Sequence, residues 1–182
     1  MKYYLVAICD NEFCKDIQPI QKSLSKKYKI SPSIYKPYIV LETIDDPDVE
    51  KLDEIITKLI SPYKKFKVEL NELIYTTTPS RAVNFKIESK GYIQRINRSI
   101  NDLLLLHGFN VKINPTPPSL YMCLSNNMIA QKYGVLKDYI IIDKSLESKS
   151  MYTTAKIDRI ELWKSTNNKK EALIKSYMLS NY

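Results

Sequence analysis

The chain has one histidine, three glycines, three cysteines and only 4 arginines among its 182 residues, and each scarcity closes off a class of chemistry. A lone imidazole, His107, excludes an acid-base pair of histidines, and no other histidine can be moved into register to supply one. One histidine and no Cys-x-x-Cys pair argue against a bound metal, so neither metal nor cofactor is expected. Cys9, Cys14 and Cys123 are odd in number and far apart, which suits reduced thiols in a cytoplasmic compartment rather than a disulfide framework. Long apolar runs are also missing. The opening Tyr3-Tyr4-Leu5-Val6-Ala7-Ile8-Cys9 closes at once on Asp10-Asn11-Glu12 and is too short for a signal peptide. No window approaches the roughly eighteen apolar residues of a membrane span. The shortage of arginine tempers the net charge of +8: of 28 basic residues 24 are lysine, which lacks the planar fork that reads phosphate and guanine. A composition rich in Lys, Ile, Asn and Tyr is also what an A/T-rich coding sequence produces.

What the chain does contain is a unit used twice. Lys36-Pro37-Tyr38-Ile39-Val40-Leu41-Glu42 and Pro118-Ser119-Leu120-Tyr121-Met122-Cys123-Leu124 are each a proline followed by a short strand, 81 residues apart at Pro37 and Pro118. Each follows a strand and a helix. In the first unit a strand at 3–9, apolar on both faces, leads into a helix at 11–29 capped by Asp10, with Phe13, Ile17, Ile20, Leu24 and Tyr28 as its buried stripe. Pro19 should kink that helix or divide off its first turn. In the second unit a strand at 82–88 leads into a helix at 90–107, stopped by Gly108. An offset of 83 residues maps Phe13, Ile17, Ile20 and Leu24 onto Ile96, Ile100, Leu103 and His107, placing His107 on the core side as a structural or capping residue.

Between the units, Pro47 suits the first turn of a second helix whose buried face is Val49, Leu52, Ile55, Ile56, Leu59 and Ile60. Residues 66–76 alternate as a strand exposed on one side. Thr76-Thr77-Thr78-Pro79-Ser80 reads as the boundary between lobes 1–78 and 79–182 of one domain, with strand exchange between them allowed. Residues 30–36 and 114–118 read as loops, and 125–137 as an ambiguous segment with a short helix ending at Gly134. Strands are expected at 139–143, 157–165 and 171–179, with a polar connection at 144–151.

This doubled frame resembles the 2H phosphoesterase superfamily, the group of RNA 2′-5′ ligases and cyclic nucleotide phosphodiesterases, whose signature is two copies of Pro-His-x-Thr/Ser-Leu on such strands. The resemblance implies an α+β, bilobal fold in which pseudo-twofold strand-helix-strand units set antiparallel sheets around a central groove. In that family the two histidines act as general acid and base, and the hydroxyls two residues on hold the phosphate. Here Tyr38 and Val40 align with His and Thr of the first motif, and Ser119 and Tyr121 with those of the second. Neither a phenol with a pKa of about 10 nor a serine hydroxyl replaces an imidazole. The expectation is a catalytically impaired monomer with no confident catalytic residue. Tyr4, Lys36, Tyr38, Ser119 and Tyr121 are its candidate groove contacts to RNA or a nucleotide. The rival readings are an enzyme working through Tyr38 and Tyr121, a filler role for those tyrosines, and a protein-interaction module on the same fold. Lys22, Lys26, Lys27, Lys29 and Lys36 form an acid-free basic run into the first motif strand, read either as a phosphate-facing surface or as a solvated helix end.

Overall fold

A computed structural model describes residues 1–30, 36–77, 81–88, 91–111, 119–126, 139–142, 154–166 and 171–181. In chain order the elements are β1 (Lys2–Cys9), α1 (Asn11–Tyr28), β2 (Tyr38–Asp45), α2 (Val49–Ile60), β3 (Phe66–Thr76), β4 (Ala82–Ile87), α3 (Tyr92–Leu106), β5 (Tyr121–Asn126), β6 (Tyr139–Ile141), β7 (Thr154–Ser165) and β8 (Glu171–Met178). The expected loops at 31–35 and 114–118, the boundary residues 78–80 and the segments 127–138 and 143–153 lie outside the described residues.

Local signals set most of the helix ends. Asp10 caps α1 by accepting from the Phe13 N–H at 3.0 Å, and Lys29 closes it in the left-handed region at φ 50°. Pro19 does not divide α1, which is one continuous helix; only the bond that its missing N–H would give is forgone. Asp48, not Pro47, starts α2, because its carboxylate accepts from the Glu50 and Lys51 N–H groups and so defines the cap one residue later. His107 ends α3 as its cap residue and is exposed rather than core-facing, since the chain leaves the helix there and turns at Gly108, φ 77°.

The strands form one antiparallel sheet in the order β6-β3-β4-β5-β2-β1-β7-β8, with β3 pairing β7 as well. The order is a palindrome of roles. Reading outward from the central β5–β2 pair, β4 matches β1, β3 matches β7 and β6 matches β8. The half β2-β1-β7-β8 takes strands from both ends of the sequence, β7 lying beside β1 and β8 beside β7, while the half β6-β3-β4-β5 is drawn from the stretch between them. The β3–β7 pairing, Phe66 opposite Ile157 through Glu69 opposite Thr154, closes the six strands β3-β4-β5-β2-β1-β7 into a ring.

Bulges fix the internal equivalence. The β1–β2 ladder shifts between Leu5 and Val6, where Leu5 faces Glu42 and Val6 faces Val40. The β4–β5 ladder shifts between Val83 and Asn84, where Val83 faces Ser125 and Asn84 faces Cys123. Side chains confirm the match. The Gln21 amide donates to the Leu124 carbonyl at 2.7 Å and Asn97 to the Leu41 carbonyl at 2.6 Å. Ser25 bonds Ser125 at 2.9 Å while Asn101 donates to Glu42 at 2.8 Å. Each helix thus braces the motif strand of the other half. Residues 76 apart correspond in the helices (Gln21 with Asn97, Ser25 with Asn101) and 83 apart in the motif strands (Leu41 with Leu124). The single offset of 83 read from the helix stripes is corrected accordingly.

One face of the sheet packs under all three helices as the main core, with Ile17, Leu24, Leu52, Ile56, Ile96 and Ile100 meeting Leu5, Ile39, Leu41, Met122 and Leu162. Replacing Asn97 with Ala removes a wholly buried brace and is expected to lower the unfolding free energy by about 1–3 kcal/mol. Gln21→Ala removes its half-buried counterpart and is expected to cost less; denaturant unfolding of the two variants checks the ranking.

Candidate functional site

The other face of the sheet carries a second apolar cluster: Tyr4, Val6 and Ile8 of β1, Tyr38 and Val40 of β2, Cys123 of β5 and Trp163 of β7. These are the residues that strand alternation turns away from the helices, and the two motif strands meet at its centre. Tyr38 stands directly opposite Cys123, and Ile39 opposite Met122. With the bulges as markers, Tyr38 corresponds to Tyr121 and Val40 to Cys123. Ser119 corresponds to Lys36, outside both strands, and is exposed. The sequence alignment that set Ser119 against Tyr38 is therefore two residues out of register.

This floor is filled and largely dry. Tyr38 is 1% exposed and its ring tilts against Trp163 with centroids 5.2 Å apart. Its side chain hydrogen-bonds Cys123, yet burial still pushes that thiol up to about 12, far from a thiolate at neutral pH. The other thiols are equally inert: burial pushes Cys14 up to about 11 and Cys9 well above its ordinary value. Tyr4, also buried, is raised chiefly by desolvation. Tyr38 and Tyr4 thus occupy the space of the floor and are not free groove contacts as the sequence reading had them. Lys36 is exposed, outside β2, and donates to Asn11 Oδ1 at 2.6 Å. Of the five candidates, Tyr121 remains half-exposed on this face, opposite Lys86 of β4, which is itself 3.6 Å from Glu72.

Three further residues of this face went unremarked in the sequence. Arg159, Glu161 and Trp163 alternate along β7 against the buried Ile160 and Leu162, a period-2 pattern that could have marked them. Glu161 accepts from Arg159 Nε at 2.6 Å and from Trp163 Nε1 at 2.7 Å, and Arg159 also donates to Asp158 at 2.8 Å. These carboxylates hold the guanidinium above its ordinary pKa despite its burial. With two carboxylates on one guanidinium, this wall offers an incoming phosphate little net attraction. Glu42, the carboxyl pushed up to about 7 by burial, lies on the helix side, because the bulge at Leu41 turns it away from Tyr38 and Val40. No cluster of three or more metal-binding side chains occurs among the described residues, and no helix among them is long and apolar enough to cross a bilayer.

A mixed α+β fold with one antiparallel sheet and three helices is what solved 2H phosphoesterase structures share with this chain. A phosphoesterase crystal structure matches with a TM-score of 0.68 at 10% identity, covering 99% of both chains. Escherichia coli LigT in complex with 3′-AMP matches at 0.63 and 10% identity over 99% of this chain and 98% of that one. Kluyveromyces marxianus Usb1 matches at 0.53 and 9% identity over 98% of each. No family model and no curated protein matches the chain. At these identities the likeness is one of fold: the chain has the 2H phosphoesterase fold, with tyrosine, valine, tyrosine and cysteine at the four floor positions.

Proposed function

We propose that this is a 2H-fold protein that has given up phosphodiester acid-base chemistry and holds a nucleotide or a short RNA segment in the old cleft. The observation that carries the first half is the floor itself. Tyr38, Val40, Tyr121 and Cys123 include no imidazole, and burial pushes the thiol among them up to about 12. Each missing acid-base group removes ~10²–10⁴ in rate, so losing both leaves little of the reaction. Support for the second half is the half-exposed Tyr121 beside Lys86, an aromatic plane next to a cation. The same fold in LigT has been solved with 3′-AMP, phosphate, NADP+ and ATP.

The purified chain is expected to hydrolyse a 2′,3′-cyclic nucleotide no faster than buffer, and to bind a short single-stranded RNA with an affinity that falls as salt rises. Enzyme-like turnover would overturn the first half, and salt-independent binding the second. A partner reading on the same fold is favoured by the exposed Leu173, Ile174 and Met178 of the edge strand β8, and salt-insensitive RNA binding would turn attention there.

A further inference from the structure

Asn84 is a polar residue where the matching half of the fold has an aliphatic one. It is 5% exposed and lies on the helix-free face of β4, between Ile74 on one neighbouring strand and Cys123 on the other. Neither offers a good acceptor, and among the described residues the Asn84 Nδ2 finds no hydrogen-bond partner. Its counterpart across the pseudo-dyad is Val6, facing Val40 and Glu161. There the polar group is on β7, and Glu161 is bonded by both Arg159 and Trp163. The fold therefore accepts a valine at this place, while the second half keeps a buried donor that nothing among the described residues answers. Such a group bears its full desolvation cost without return.

We infer that Asn84 is the donor of a nucleobase subsite on the wall of the second half, and that it takes an uncharged acceptor on the base edge, an oxo group or a ring nitrogen. The inference rests on the reading of the cleft as a nucleotide site. Lys86 lies two residues along the same face, opposite the half-exposed Tyr121, so a base lying on that ring brings its edge toward Asn84. A phosphate does not fit the inner position: Ile74 and Cys123 flank it, and a full charge among apolar neighbours is poorly stabilised. Nδ2 is closed to solvent, and the base edge engages it when the side-chain torsions turn the amide toward Tyr121.

Titration of the intact chain with the 3′-monophosphates of guanosine, uridine and adenosine, and with ribose 3-phosphate, tests this. The three nucleotides are expected to bind more tightly than the sugar phosphate that lacks a base. Asn84→Val is expected to weaken the nucleotides about tenfold, the worth of one hydrogen bond, while leaving ribose 3-phosphate unchanged. It is also expected to raise the melting temperature, since the position then copies Val6. Asn84→Ala repeats the binding arm in case the branched side chain overpacks the site. Nucleotide affinities unchanged in both variants overturn this inference and leave the cleft reading standing. A wild type that binds none of the three nucleotides overturns both.

Discussion

Glu42→Gln is expected to stabilise the protein, and by more the higher the pH. The carboxyl is wholly buried on the helix side of β2, and burial raises its pKa from 4.5 to about 7 against the opposing bonds from Asn101 and the Thr43 N–H. Between those two values the folded protein keeps a proton that the unfolded chain has released. Stability from this group is therefore complete below about 4.5 and declines as pH rises toward 7, by roughly 3 kcal/mol in all. The substituted amide is neutral throughout, and a flip of the Asn101 side chain lets its carbonyl oxygen accept from the new NH₂ group. Urea unfolding at pH 5 and pH 8 should show the variant's advantage growing by most of that amount. Two curves that run parallel with pH would mean that the ionised carboxylate sits in the core without penalty.

The second large effect separates the two motif tyrosines. Tyr38→Ala should cost about 3–5 kcal/mol, because it empties a site closed by Trp163, Val40, Ile8 and Cys123. Tyr121→Ala, at the half-exposed counterpart, should cost roughly 1 kcal/mol and act on ligand binding instead. Unfolding midpoints of the two variants decide it: similar costs would mean that Tyr38 does not fill the floor.

Hydrophobic periodicity and caps are local, and so the strands, the three helices, the Asp10 cap and the doubled frame were legible in the sequence. What was not legible is phase. The helix equivalence is 76 residues, not 83, and the difference of seven is close to two helical turns, which returns Ile17 and Leu24 to the same buried stripe. The motif equivalence is 83, not 81, and a slip of two leaves every strand side chain on its own face. Each misreading is a whole number of periods, invisible to a pattern that knows only the period. Bulges break that degeneracy, and no residue pattern announced them: the one at Leu41 also carried Glu42 to the face opposite Tyr38. The orphan amide of Asn84 was likewise out of reach, because a lack of partners is a property of three strands together.

The closure of the ring through β7 bears on how the chain comes to be folded. β1 is held on one side by β2, about forty residues on, but on the other by residues 157–164, which are made some hundred and fifty residues later. Until they arrive, Tyr4, Val6 and Ile8 face the solvent along an open hydrogen-bonding margin. A ribosome-tethered fragment ending before residue 154 should therefore be sticky and protease-sensitive, and pairing over such separations makes final closure a slow event. Trp163, the sole indole in the chain, docks in that same event, so its fluorescence would report the moment the molecule is sealed.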